Sequence, residues 1–379
     1  MNLLTNLKLL KMKKMNFLSW AFIALTMFSF TACDDDDEKE KVDNDLKGNV
    51  ALIANYGMFN GGNGEFTAYN ISKDIVFDNV YQSINGVEFN SKIQHMALYN
   101  NNLYIVSNSG DKIDIINAQS LKQEMNPITD VENPRFIVVD GNTAYVSCYG
   151  ATPDFSTMPD SYIAKIDLNS NTVVKKIEVP GGPEGLAIAN GKLYAAINYA
   201  NNVAVVNLMT DEVSYIEMPA VTSYFAADDA DNLYVTMVNT YNNPTTEDGI
   251  AYINTQDNSV ETYTFNGIST NYASIISFNA DKTALYVVAS SWVENEGEWT
   301  LSGSVLKFDV ASKTFTTLFD NIAGLNGIAT NPSNDDLYVL TAPDATTDGK
   351  VEIYSCDKQK KKEFAAGLSP NWAVFETIK

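Results

Sequence analysis

Histidine is almost missing from this chain: His95 is the only one in 379 residues. That removes paired-His metal sites and leaves little room for a His-centred catalytic dyad or triad. Cysteine is scarce as well, with Cys33, Cys148 and Cys356 the complete set, which excludes a disulfide framework or a zinc knuckle. Cys148 and Cys356 fall in separate repeats and are expected as two lone buried thiols. Lysine and arginine number 25 against 47 acids. Nucleic acid is bound by neutralising phosphates, so a net charge of −22 sets that class of partner aside. No Gly-rich phosphate loop and no paired acids at useful spacing occur. The apolar run Phe17 to Phe30 is shorter than the roughly 20 residues a membrane-spanning helix needs.

That run does have a layout. Lys8, Lys11, Lys13 and Lys14 precede it, and Thr31-Ala32-Cys33 follow it. A basic start, a short apolar core and small residues before a cysteine define a secretory signal over residues 1–32. The cysteine resembles the lipobox position at which bacterial lipoproteins are cleaved and acylated, so Cys33 is the expected lipid anchor. Loss of residues 1–32, with four lysines and no acid, would take the net charge from −22 to −26. Residues 33–47 begin with Asp34-Asp-Asp-Asp37-Glu38 and read as a solvated acidic tether. An acidic run directly after a lipidated cysteine also resembles a surface-export signal. The expected location is therefore the outer membrane, lipid-anchored and facing the exterior.

From residue 48 onward the sequence repeats. A turn, a hydrophobic residue and a tyrosine recur at Tyr104, Tyr145, Tyr194, Tyr234, Tyr286 and Tyr338, separated by 41, 49, 40, 52 and 52 residues. Blades of a propeller repeat at about 40–50 residues. A second phrase, ending in a small polar residue, occurs seven times: Phe66–Asn70, Ile113–Asn117, Ile163–Asp167, Val203–Asn207, Ile250–Asn254, Val305–Asp309 and Val351–Ser355. Its closing Asn, Asp or Ser is placed to bond the backbone of a tight hairpin turn.

Seven units of strand, turn, strand, loop, strand, turn, strand predict an all-β fold: a single seven-bladed β-propeller over residues 48–379. The first unit starts directly with its second strand, at Gly48. Asn371-Trp-Ala-Val-Phe375 matches the inner strands of the other units, so a C-terminal strand is expected to close the first blade. The repeated tyrosines are packing residues.

In such a ring the loops joining strands two to three, and four to one, gather on one face. Here they supply Tyr56, Phe59, His95, Arg135, Phe136, Tyr149, Glu184, Tyr199, Tyr224, Tyr241, Tyr272, Trp292, Asn326 and Trp372. Aromatic rings and amides concentrated at one end suit a flat, partly apolar ligand that carries hydrogen-bonding groups. Glu184 is the only carboxylate at an inner-strand start, with Asn326 and Asn371 as companion amides. One carboxylate and two amides make a poor hard-cation site, so neither a metal nor a cofactor is expected. His95 is expected at the channel mouth.

Pro134-Arg135-Phe136-Ile137, Gly182-Pro183-Glu184-Gly185 and Val203-Ala-Val-Val-Asn207 resemble the YncE-like propeller family. With Cys33 and the acidic tether, the chain is similar to the surface lipoproteins of that family, among them the cobalamin-capturing BtuG proteins. Ile93-Gln94-His95-Met96 looks like the family's second blade, with His95 standing where Ser is expected. The resemblance implies capture of a corrinoid such as cobalamin (vitamin B12) and its transfer to a TonB-dependent outer-membrane transporter resembling BtuB. The residues alone leave open a glycan or other small ligand, or a protein-interaction scaffold accessory to a transporter. They point to binding rather than catalysis.

Overall fold

A computed structural model describes residues 44–379, apart from positions 59–60, 62, 266, 271–273 and 296–297 and the side chains of 295 and 298–300. The expected lipid site Cys33, with the rest of the signal and most of the tether, lies outside the described residues, as do Phe59 and Tyr272.

Seven antiparallel sheets follow one another along the chain. The first joins β1 (Gly48–Asn55), β2 (Glu65–Asn70) and the short β3 (Ile75–Phe77) to the final strand β27 (Pro370–Ile378). Val50 faces Glu376 and Ala54 faces Trp372 in that pairing, so the C-terminal strand closes the ring as the sequence predicts. Closure removes the open sheet edge that would otherwise invite pairing with another chain.

The core explains the repeated phrases. Tyr104, Tyr145, Tyr194, Tyr234, Tyr286 and Tyr338 are all buried between blades. The closing residue of the second phrase performs its turn role: Asn117, Asp167, Asn207, Asn254 and Asp309 each accept a backbone N–H two or three residues ahead, at 2.8–3.0 Å. Such Asx bonds let the hairpin reverse without a glycine.

One blade departs from the four-strand expectation. This second blade contains only β4 (Ile93–Tyr99), β5 (Asn102–Ser107) and β6 (Lys112–Asn117), with one bridge between Ile113 and Ile128 in place of an outer strand. Pro127 has no N–H to give a ladder. Side chains hold this segment instead: Gln123 donates to Asp114 at 3.2 Å, and its backbone N–H donates to Asn85 at 2.9 Å. Asn85 ends helix α1 (Val80–Asn85), which buries Val80, Tyr81 and Ile84 beside the first blade. The period-2 pattern gave no sign of this helix.

The cysteines also divide. Cys148 is buried, and burial pushes its thiol up to about 12. Cys356 is exposed, against expectation, because it falls in the turn between β25 (Asp348–Tyr354) and β26 (Lys360–Leu368) rather than in a strand.

Candidate functional site: the channel mouth

The inner strands share a device that shapes the mouth. Where β7 (Pro134–Asp140) meets β8 (Thr143–Cys148), the ladder skips Arg135; where β4 meets β5 it skips Gln94. In β11 (Pro183–Ala189) it skips Glu184 and Gly185, and in β15 (Val221–Ala227) Ser223 and Tyr224. The same break isolates Asn326 in β23 (Leu325–Thr330) and Asn371 in β27. A bulge frees a residue from the ladder and re-aims its side chain. Six blades thus free a polar or aromatic residue from the ladder at the start of the inner strand.

Arg135 and Glu184 meet there as a forked ion pair. The guanidinium donates from Nε and Nη2 to the two carboxylate oxygens at 2.8 and 2.9 Å, and from Nη1 to Gln94 Oε1 at 3.1 Å. Tyr149 donates its hydroxyl to Glu184 at 2.6 Å, Tyr224 at 3.1 Å, and the Asn198 amide reaches it at 3.4 Å. Glu184 therefore accepts five hydrogen bonds with its side chain 1 % exposed. Burial opposes the charge on Arg135, but the facing carboxylate more than offsets it and holds the guanidinium above its ordinary range. Burial first, then the Glu184 charge, raises Tyr149 and Tyr224 far above the usual phenol, so both stay protonated as donors. The guanidinium also stacks on the Tyr149 ring at 4.7 Å.

Beneath the pair the channel is plugged by rings from four blades. His95 stacks on Phe136 with centroids 3.6 Å apart, and Trp372 stands edge-on to both, at 4.6 and 5.6 Å. Tyr224 adds its ring to Phe136 and Trp372 at 5.9 and 6.0 Å. His95 is 3 % exposed and its Nδ1 has no hydrogen-bond partner; burial lowers its imidazole to about 3. His95, expected as a hydrogen-bonded residue of the channel mouth, is buried within this ring cluster.

Above the pair are half-buried Tyr56 and Tyr199. Tyr199 stands edge-on to Tyr149 at 6.0 Å. Gly182 (φ +72) permits this approach, since a Cβ there would lie 2.7 Å from the Tyr199 ring. Gly185 likewise must lack a side chain, because a Cβ would come within 2.5 Å of the Ser223 carbonyl of the next blade.

The remaining predicted residues separate from this cluster. Asn326 and Asn371 stitch strands together, donating to the carbonyls of Pro370 and Gln94 at 2.9 and 3.1 Å, and do not join Glu184 in a cation site. Tyr241 is fully exposed on the loop before β17 (Gly249–Asn254). Trp292 is 44 % exposed on β20 (Ala284–Asn295). Paired with β21 (Glu298–Asp309), that strand runs twelve residues where β16 (Leu233–Val238) runs six. The strands of this hairpin are therefore longer by roughly 20 Å at about 3.3 Å per residue. Exposed Phe155 lies beside the Tyr241 loop, its carbonyl receiving Asn242 at 3.1 Å. Gln94 and Asn198, loop-face residues outside the ligand-binding candidates, belong to the site. Gln94 stands at the inner-strand start equivalent to Arg135, and Asn198 directly precedes Tyr199, which was the available signal.

Two shallow clefts lie elsewhere. One of about 320 Å³ sits by the chain ends at Leu46, Gln119 and Ile378; another of about 540 Å³ sits on the fourth blade at Lys192, Val205 and Ser214. Among the described residues no cluster of three or more His, Cys, Asp or Glu is placed to hold a metal.

Ring closure and seven blades define the class: a seven-bladed β-propeller. The chain belongs to the DUF5074 family, a domain of unknown function, which matches residues 49–367. Among curated proteins none matches it. Solved propellers share the fold. The periplasmic gluconolactonase PpgL of Pseudomonas aeruginosa aligns at 12 % identity and TM-score 0.64, covering 87 % of this chain and 99 % of its own. Hydrazine synthase of Kuenenia stuttgartiensis aligns at 16 % and 0.60, covering 76 % and 91 %. A functionally unknown protein of Desulfotomaculum acetoxidans aligns at 12 % and 0.61, covering 88 % and 100 %. Identities this low speak for the fold alone.

Proposed function

We propose that this protein is a surface binding protein that captures a corrinoid such as cobalamin on the loop face of its propeller and passes it to a TonB-dependent transporter, anchored to the outer membrane through Cys33. The observation that carries the binding reading is the state of Glu184. Its oxygens are filled by five donors, so the one acid at the mouth has no position left for a proton relay or a cation. What remains is a surface of half-exposed rings and amides above a sealed channel, which is the complement of a flat macrocycle rimmed with amides. The solved lactonase shares the architecture, but the saturated carboxylate favours holding a ligand over transforming one.

The exposed rings of Phe155, Tyr241 and Trp292 favour a second reading, since sugar rings stack on such residues: a glycan held along the rim. Calorimetric titration with cyanocobalamin tests the first reading. Binding at nanomolar strength is expected; no heat and no thermal shift at high cobalamin removes it and turns the search to glycans.

A further inference from the structure

Arg135 is the cation at the centre of the mouth, and its charge is already matched. Of the two partners the guanidinium is 21 % exposed and the carboxylate 1 % exposed. A ligand on the face therefore meets the positive member first, with the negative member directly behind it at bonding distance. A fork of this kind presents a dipole outward rather than a free cation. The groups that touch the pair are neutral, the Gln94 and Asn198 carboxamides, with the Tyr56 and Tyr199 hydroxyls close by; the nearest other cation, Lys92, stands off at 5.7 Å from the Tyr56 ring centre. The chain as a whole is strongly negative, at −22, which further opposes an approaching anion.

We infer that Glu184 silences Arg135 and so sets the specificity of the mouth: it admits ligands whose polar groups are neutral amides or hydroxyls and rejects the same ligands bearing carboxylates. This rests on the reading of the loop face as a binding platform. It assigns Glu184 a role in selectivity beyond joining blade three to blade four. A purely structural pair would cost stability when broken but would leave charge preference unchanged.

Three variants separate these roles: Glu184→Gln, Arg135→Gln and the double change. The first probe pair is cyanocobalamin and its monocarboxylate, in which one side-chain amide is hydrolysed. The second probe is inorganic phosphate, read by thermal denaturation against sodium chloride of equal ionic strength, which requires no corrinoid site. The wild type should prefer the amide by about tenfold or more and gain no stability from phosphate beyond the chloride control. Glu184→Gln should narrow or invert that preference and gain stability from phosphate. Arg135→Gln should widen the preference, and the double variant should return near the wild-type ratio. A folded Glu184→Gln protein with an unchanged ratio and no phosphate effect overturns the inference. Should that variant not fold, an Arg135→Gln ratio equal to wild type overturns it as well. Failure of the wild type to bind either corrinoid removes the corrinoid reading only, and the phosphate comparison then decides this one by itself.

Discussion

At the turn end of the propeller, Asp74, Asn171, Asp211, Asn258, Lys313 and Lys358 occupy the same place in six hairpins, each in the left-handed region with φ between 52° and 64°. At the loop end, the inner strands carry bulges that release Gln94, Arg135, Glu184, Tyr224, Asn326 and Asn371 from the ladder. The turn end uses short-range bonds: a side-chain oxygen caps its own turn, and charges pair in the open, as Lys313 does with Glu261 at 2.6 Å. The loop end uses bonds between blades, buried and interlocked. One end builds the scaffold locally, and the other spends irregular backbone on a shared site. Irregularity collected at one end of a regular repeat marks where function resides.

Ways to break that contrast run from large to small. Deleting Pro370–Lys379 removes the strand that closes the first blade and should abolish cooperative unfolding, seen by calorimetry. Phe136→Ala should open a cavity in the plug and cost about 3–5 kcal/mol in denaturant unfolding. Arg135→Ala should cost about as much, roughly 3–5 kcal/mol, because Glu184 is left buried and unpaired. Lys313→Ala at the turn end breaks an exposed, solvent-screened pair and should leave the denaturation midpoint nearly unchanged. If the two ion-pair changes cost the same, the contrast between the ends is wrong.

His95 sharpens the contrast through pH. Its folded value, about 3, lies below the unfolded value near 6.5, so the unfolded chain binds the extra proton in between. Its stabilisation is therefore complete above pH 6.5 and is lost as pH falls toward 3. Between pH 7 and pH 5 the loss should be about 2 kcal/mol, and His95→Phe should flatten that slope. The smallest effect is expected at Lys358, whose φ of 64° suits glycine: Lys358→Gly should raise stability by up to about 1 kcal/mol.

The fold was legible because two phrases with a physical job repeat along the chain, a buried tyrosine in six blades and a turn-facing polar residue in all seven. The site was legible only as a neighbourhood. Arg135 and Phe136 are adjacent, and alternation along a strand places one up and one down, but a bulge resets that alternation. Sequence spacing could not say that Arg135 would reach Glu184 while Phe136 and His95 went into the plug. Nor could it give the length of the hairpin bearing Trp292, or the loss of an outer strand in the second blade, which depends on Asn85 and Asp114 gripping Gln123.

The central claim is that the loop face, and not the turn face, holds the ligand. Affinity for cyanocobalamin should be compared between a Tyr56→Ala/Tyr199→Ala variant at the mouth and a Met209→Ala/Tyr215→Ala variant on exposed residues elsewhere. A loss of about a hundredfold or more at the mouth, where hot-spot rings each contribute about 2 kcal/mol, with wild-type binding in the other variant, is the predicted result. Unchanged binding in the mouth variant, with both proteins folded, would contradict it.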